Sequence, residues 1–91
     1  MLTKTIARQD MNDAAEAFLL AEEAFESATA VLNGNNVALR QVIDAGCSDY
    51  VVADIAKQCT AAKKQCEACE ERLDGAYDDY HDATDCFKSF L

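Results

Sequence analysis

The sequence predicts an all-α protein, and three observations carry that prediction. Proline is absent and only three of the 91 residues are glycine, so no missing N–H interrupts a helix. Alanine, glutamate, aspartate and lysine are abundant, a mixture that favours helix over sheet or disorder. Apolar residues also recur in steps of three and four along most of the chain. The expected architecture is a single domain: an antiparallel helical hairpin with a short corner helix and a long coiled-coil-like C-terminal helix. The helices are expected at about 3–33, 37–45 and 49–90, with two hairpins dimerising into a bundle.

The first expected helix carries large residues alternating with alanine. Heptad position a falls on Lys4, Met11, Phe18, Phe25 and Leu32, and position d on Ala7, Ala14, Ala21 and Ala28. Alanine at each d position lets a second helix approach closely. "NGNN" (residues 33–36) is expected to end this helix, with Gly34 in the left-handed conformation and Asn36 as the next cap. The corner helix, "VALRQVIDAG", would then end at Gly46, with Ser48 capping its successor and Asp49 favourably near the helix dipole.

The third expected helix has the most regular pattern. Val52, Ile55, Cys59, Ala62, Cys66, Cys69, Leu73, Ala76, Tyr80, Ala83, Phe87 and Phe90 follow steps of three and four without a slip or a charge. That repeat produces a left-handed coiled-coil face, roughly 60 Å long at ~1.5 Å per residue. A first helix of about 45 Å would leave part of this face uncovered. Leu73, Tyr80, Phe87 and Phe90 are therefore the expected partner interface.

The formal charge of −9 argues against phosphate-neutralising nucleic-acid binding and against adsorption to anionic membranes. It favours a protein partner with a basic patch. The N-terminal stretch has no apolar signal core and no segment approaches a membrane span, so a cytoplasmic location, bacterial or host, is expected. Five unevenly spaced cysteines argue against an obligatory disulfide framework.

Cys66 and Cys69 form a C-x-x-C. With Cys59 they lie on seam positions, where cysteine packs as a small hydrophobe. A metal reading would use Cys59, Cys66 and Cys69, with a dimer closing a tetrahedral site. Against it stand the lack of a second C-x-x-C and the position of His81, about three turns beyond Cys69. No metal and no cofactor are expected. The pair lies mid-helix beside Glu67, Glu70 and Glu71, whereas a thioredoxin-like pair opens a helix after a strand. Cys47 and Cys86 are expected to be the accessible thiols.

"VIDAGCSDYVVADIA" has the rhythm of a helix-turn-helix, but its second helix opens with Asp49 and Asp54, unsuited to a DNA groove. No nucleophile has a base nearby and no glycine-rich phosphate loop exists, so no enzyme is expected. The acidic run is more informative. Glu67, Glu70, Glu71, Asp74, Asp78, Asp79, Asp82 and Asp85 are opposed in that segment only by Arg72. Glu71, Asp78 and Asp85 share an outer ridge, with Glu67 and Asp74 in a second row. Lys4 and Arg8 would face this acidic end in an antiparallel pair.

Size and hairpin shape resemble the small helical partners of type VII secretion. Their Trp-x-Gly turn has no counterpart here, where the turn reads "LNGNN" and tryptophan is absent, so the family is not assigned. The expected function is a non-enzymatic adaptor or inhibitor, phage or bacterial in style, that docks on a protein. Leu73, Tyr80, Phe87 and Phe90 would supply apolar contact, and Glu67, Glu71, Asp74, Asp78, Asp82 and Asp85 charge complementarity. One alternative is a nucleic-acid mimic that fills the basic channel of a nuclease or defence complex (anti-CRISPR-like), because carboxylates ~6 Å apart on a helix approximate a phosphate repeat. Another is the cysteine-based metal-binding bundle.

Overall fold

A computed structural model describes residues 2–91. Two helices, α1 (Lys4–Asp44) and α2 (Asp49–Lys88), pack as an antiparallel hairpin. The result is a rod of 65 × 15 × 13 Å, with no strand among the described residues. Side chains that meet across it fix the antiparallel sense: Arg8 lies over Phe87, Phe18 beside Tyr77, and Thr29 beside Cys66.

The expected break at "NGNN" does not occur. α1 continues through it as one helix of 41 residues, so there is no separate corner helix. The physical reason lies in the seam, which keeps its steps of three and four through Leu32, Asn35, Leu39 and Val42. All four are half-buried against α2. Asn35 turns inward and its Nδ2 donates to the Gln58 carbonyl at 3.5 Å. Gly34 faces solvent with helical backbone angles. One glycine and three asparagines cost about 2–3 kcal/mol of helix propensity. Partial burial of two leucines and a valine, at about 1 kcal/mol or more each, offsets that.

A second consequence concerns length. α2 has 40 residues, so α1 covers it along its whole course. The uncovered stretch expected on the C-terminal helix is absent from the hairpin, because α1 does not stop at residue 33.

The turn follows the sequence more closely. Gly46 has φ of 69°, and it is the position where a left-handed residue closes the helix. Its N–H donates to the Ile43 carbonyl at 3.1 Å, and the Cys47 N–H to the Val42 carbonyl at 3.0 Å. These two bonds make a Schellman closure and satisfy carbonyls the helix end would otherwise leave open. Ser48 stands at the N-cap of α2 with Asp49 in the first turn, although the Ser48 side chain makes no capping bond. At the other end, Thr3 Oγ1 accepts from the Ile6 N–H at 3.2 Å and caps α1.

The core is made of small residues. Ala7, Ala21 and Ala28 of α1 and Ala62 and Cys69 of α2 are the buried positions. Alanine at d draws the backbones together, as its spacing predicts. The large a residues, Met11, Phe18, Phe25, Leu32 and Leu39, flank this line and stay half-buried. A pair of helices offers each large side chain cover from one direction only. Phe18 reaches across to α2, with its ring centroid 5.7 Å from Tyr77 and 6.0 Å from Tyr80.

Candidate functional site at the acidic open end

Antiparallel pairing gathers the carboxylates at one end of the rod. The hairpin divides at its middle into an open half (residues 2–24 and 70–91) and a closed half around the turn (25–69). The open half holds twelve of the seventeen acidic residues and four of the eight basic ones, a formal −8. The closed half holds five acidic and four basic residues, a formal −1. Asp10, Asp13, Glu16, Glu22 and Glu23 of α1 thus join the acidic run of α2. Sequence reasoning alone confines the site to α2. The signal is present in α1 as well, but it becomes visible only when the two segments are laid side by side.

The predicted docking residues Glu67, Glu71, Asp74, Asp78, Asp82 and Asp85 are all exposed. Glu67 lies just within the closed half and the other five in the open half. Among the described residues, no lysine or arginine nitrogen comes within 4 Å of a carboxylate. The single contact of that length between a basic side chain and a carboxylate among them is His81 Nδ1 to Asp85 Oδ2 at 3.3 Å, with both side chains well exposed. Arg8 lies in the open half as expected, yet its guanidinium stacks 5.5 Å from the Phe87 ring instead of pairing with an acid. The carboxylates of this end therefore have no lysine or arginine beside them among the described residues. Spaced along two parallel ridges, they present a dense negative field that attracts cationic surfaces over about a Debye length.

The predicted apolar contacts divide. Leu73, Tyr80 and Phe87 are half-buried on the seam that faces α1. Phe90 lies beyond the end of α2 and is exposed. Tyr77, exposed at 52%, adds a large apolar edge beside the acids. Its ring sits 6.0 Å from that of His81.

The cysteines are all unpaired. Cys69 is buried, and its Sγ lies 3.7 Å from Gln65 Nε2. Cys66 Sγ lies 3.5 Å from Thr29 Oγ1 on the facing helix, and Cys59 is half-buried on the same seam. Both members of the C-x-x-C thus have packing and polar contacts within the hairpin. Among the described residues, no three His, Cys, Asp or Glu side chains gather as a metal-holding group. Cys47, in the turn, is the exposed thiol, whereas Cys86 is half-buried. Among the described residues no helix is long and apolar enough to cross a membrane. In comparisons with known proteins the chain matches no family model, no curated sequence and no solved structure.

Proposed function

We propose that this protein is a non-enzymatic interaction module, a small acidic adaptor or inhibitor whose open end docks on a basic patch of a protein partner. The observation that supports this most directly is the charge polarity of the rod: −8 in one half against −1 in the other, with no lysine or arginine among the described residues paired to those acids. A like-charged cluster on one end opposes the compact state through self-repulsion, and it gains by meeting opposite charge. Phe90 and Tyr77 add apolar contact at the same end, so association steered by charge ends in a desolvated patch. Self-association of the hairpin belongs to the same reading, because two helices alone leave the large seam residues half covered.

The exposed ridge of Glu71, Asp78 and Asp85 favours a second reading, mimicry of a nucleic-acid backbone. The two readings separate experimentally. The wild-type protein, an E71Q/D78N/D85N variant and a Phe90→Ala variant are used to capture partners from lysate, and the captured protein is then challenged with duplex DNA. Docking on a protein patch predicts that Phe90→Ala weakens capture by about tenfold and that DNA does not displace the complex. Mimicry predicts that DNA competes and that the triple variant loses binding while Phe90→Ala retains it. Capture unaffected by any of these changes would remove the open end as the site.

A further inference from the structure

One face of the hairpin differs from the rest in carrying almost no charge. On α1 it runs through Ala17, Leu20, Ala24, Ser27, Val31, Gly34 and Ala38, in steps of three and four alongside the main seam. α2 continues it with Ala61, Gln65, Ala68, Arg72 and Gly75. Between the helices lies a groove of about 280 Å³ whose lining includes Ala24, Ser27, Val31, Gln65 and Arg72. Leu20 and Val31 stand on this face 52% and 58% exposed. Gly34 has no reason within the hairpin to be glycine, since a Cβ there would meet nothing within 4 Å and its backbone is helical. Glycine in a helix interior costs stability unless another backbone or side chain must come close.

We infer that this face binds a second copy of the chain, antiparallel, about a two-fold axis passing near Ser27 and Ala68. The inference deepens and rests on the self-association just proposed, and it places that contact on a lateral face that runs beside the docking carboxylates and reaches only Asp82 of them, at its rim.

Three properties of the face select a second copy as its occupant. First, it is self-complementary. A two-fold near Ser27 sets Leu20 over Gly34 of the second copy and Val31 over its Ala24, large over small in both directions. On α2 the same axis sets Ala61 over Gly75 and Gln65 beside Arg72, a side-chain amide oxygen beside a guanidinium that needs an acceptor. A parallel pairing through the α1 residues would place Leu20 on Leu20 and Gly34 on Gly34 instead.

Second, the antiparallel sense lays the −8 half of each copy along the −1 half of the other, where Arg40, Lys57, Lys63 and Lys64 reside. A parallel arrangement would oppose the two −8 halves. A like-charge pair, Asp54 against Asp82 of the second copy, falls at the rim, where solvent screens it.

Third, the area fits. The chain exposes 6509 Å², whereas a folded monomer of 9.9 kDa exposes about 5,200 Å². The excess of roughly 1,300 Å² exceeds the ~800 Å² per partner of a standard interface.

The test combines oligomeric state with a geometric cross-link. Native mass spectrometry and sedimentation of the full chain under reducing conditions are expected to show a dimer. Leu20→Asp is expected to weaken it by at least about a hundredfold. Gly34→Ala separates a lost interface from lost folding, because it improves helix propensity in a lone hairpin yet obstructs Leu20 of the second copy. Raised helicity together with weaker dimerisation is the expected pair of results. Ser27→Cys places a thiol at the axis in each copy. Mild oxidation is expected to join the two introduced thiols in a disulfide across the axis, identified by peptide mass. A monomer up to high micromolar concentration overturns the inference. So does a dimer indifferent to Leu20→Asp, or one in which the Ser27→Cys variant fails to cross-link through that position. Partner capture through the open-end carboxylates reports on the functional reading separately, since neither Leu20 nor Gly34 lies among them.

Discussion

At the scale of single residues, the fold rests on a few positions whose chemistry has no substitute. Gly46 is one. Its φ of 69° places an ordinary side chain in a region that costs about 1–2 kcal/mol, and only part of that is regained from a stiffer unfolded chain. Gly46→Ala is expected to lower stability by about 1 kcal/mol, read as a fall of about 4–8 °C in thermal midpoint. Phe18 is another, because its ring touches both Tyr77 and Tyr80. It is half-buried, so Phe18→Ala is expected to cost about 2 kcal/mol, below the 3–5 kcal/mol of a fully enclosed phenylalanine. Urea unfolding followed by circular dichroism measures both. Asn35 shows how one residue can have two readings. In sequence it belongs to a turn cluster, and in the hairpin it is a seam residue bonded to the opposite backbone. A single buried-edge asparagine of this kind favours one register over its neighbours.

At the scale of the helices, alanine spacing sets how closely they approach. Ala21 is fully buried between α1 and α2. Ala21→Leu would force the backbones apart and is expected to cost about 1–3 kcal/mol. Ala30→Leu, on the exposed side of the same helix, is expected to change stability by less than about 0.5 kcal/mol. A result in which the two substitutions cost the same would mean that the seam is not where the helices meet. The large residues behave differently from the alanines. Met11, Phe25 and Leu39 remain half-buried because one neighbouring helix cannot enclose them, and this is the physical basis for expecting further helices around the pair.

At the scale of the whole molecule, charge is unevenly distributed. With −8 gathered in one half, self-repulsion works against the fold at low ionic strength. Raising salt from about 0.01 M to about 0.1 M shortens the Debye length from about 30 to about 10 Å. The thermal midpoint is expected to rise by several degrees, about 4–8 °C for each kcal/mol of repulsion removed. A midpoint that falls with salt would indicate that attractive pairs outweigh the acidic cluster. The sign follows from the lack of lysine or arginine partners for the carboxylates among the described residues, which leaves few attractive contacts for salt to screen.

The sequence by itself determined the helical class, the seam of α2 from Val52 to Phe87, the alternation of large residues with alanine in α1, the corner at Gly46 and the exposure of the acidic ridge. Each of these is local or periodic, and a period of three and four needs no partner to be read. The tertiary structure alone decided four things. It carried α1 through residues 33–36, because apolar burial on both sides of the cluster outweighs the low helix propensity within it. It therefore made the corner at Gly46 the turn of the hairpin and set the register in which the first half of α1 covers Leu73, Tyr80 and Phe87, with Phe18 beside Tyr80 and Arg8 over Phe87. It also brought the acids of α1 beside those of α2 and set Gln65 and Arg72 of α2 beside Ser27 and Val31 of α1 on one nearly uncharged face. Both are relations between residues distant in the chain, and only the pairing of the helices makes them neighbours.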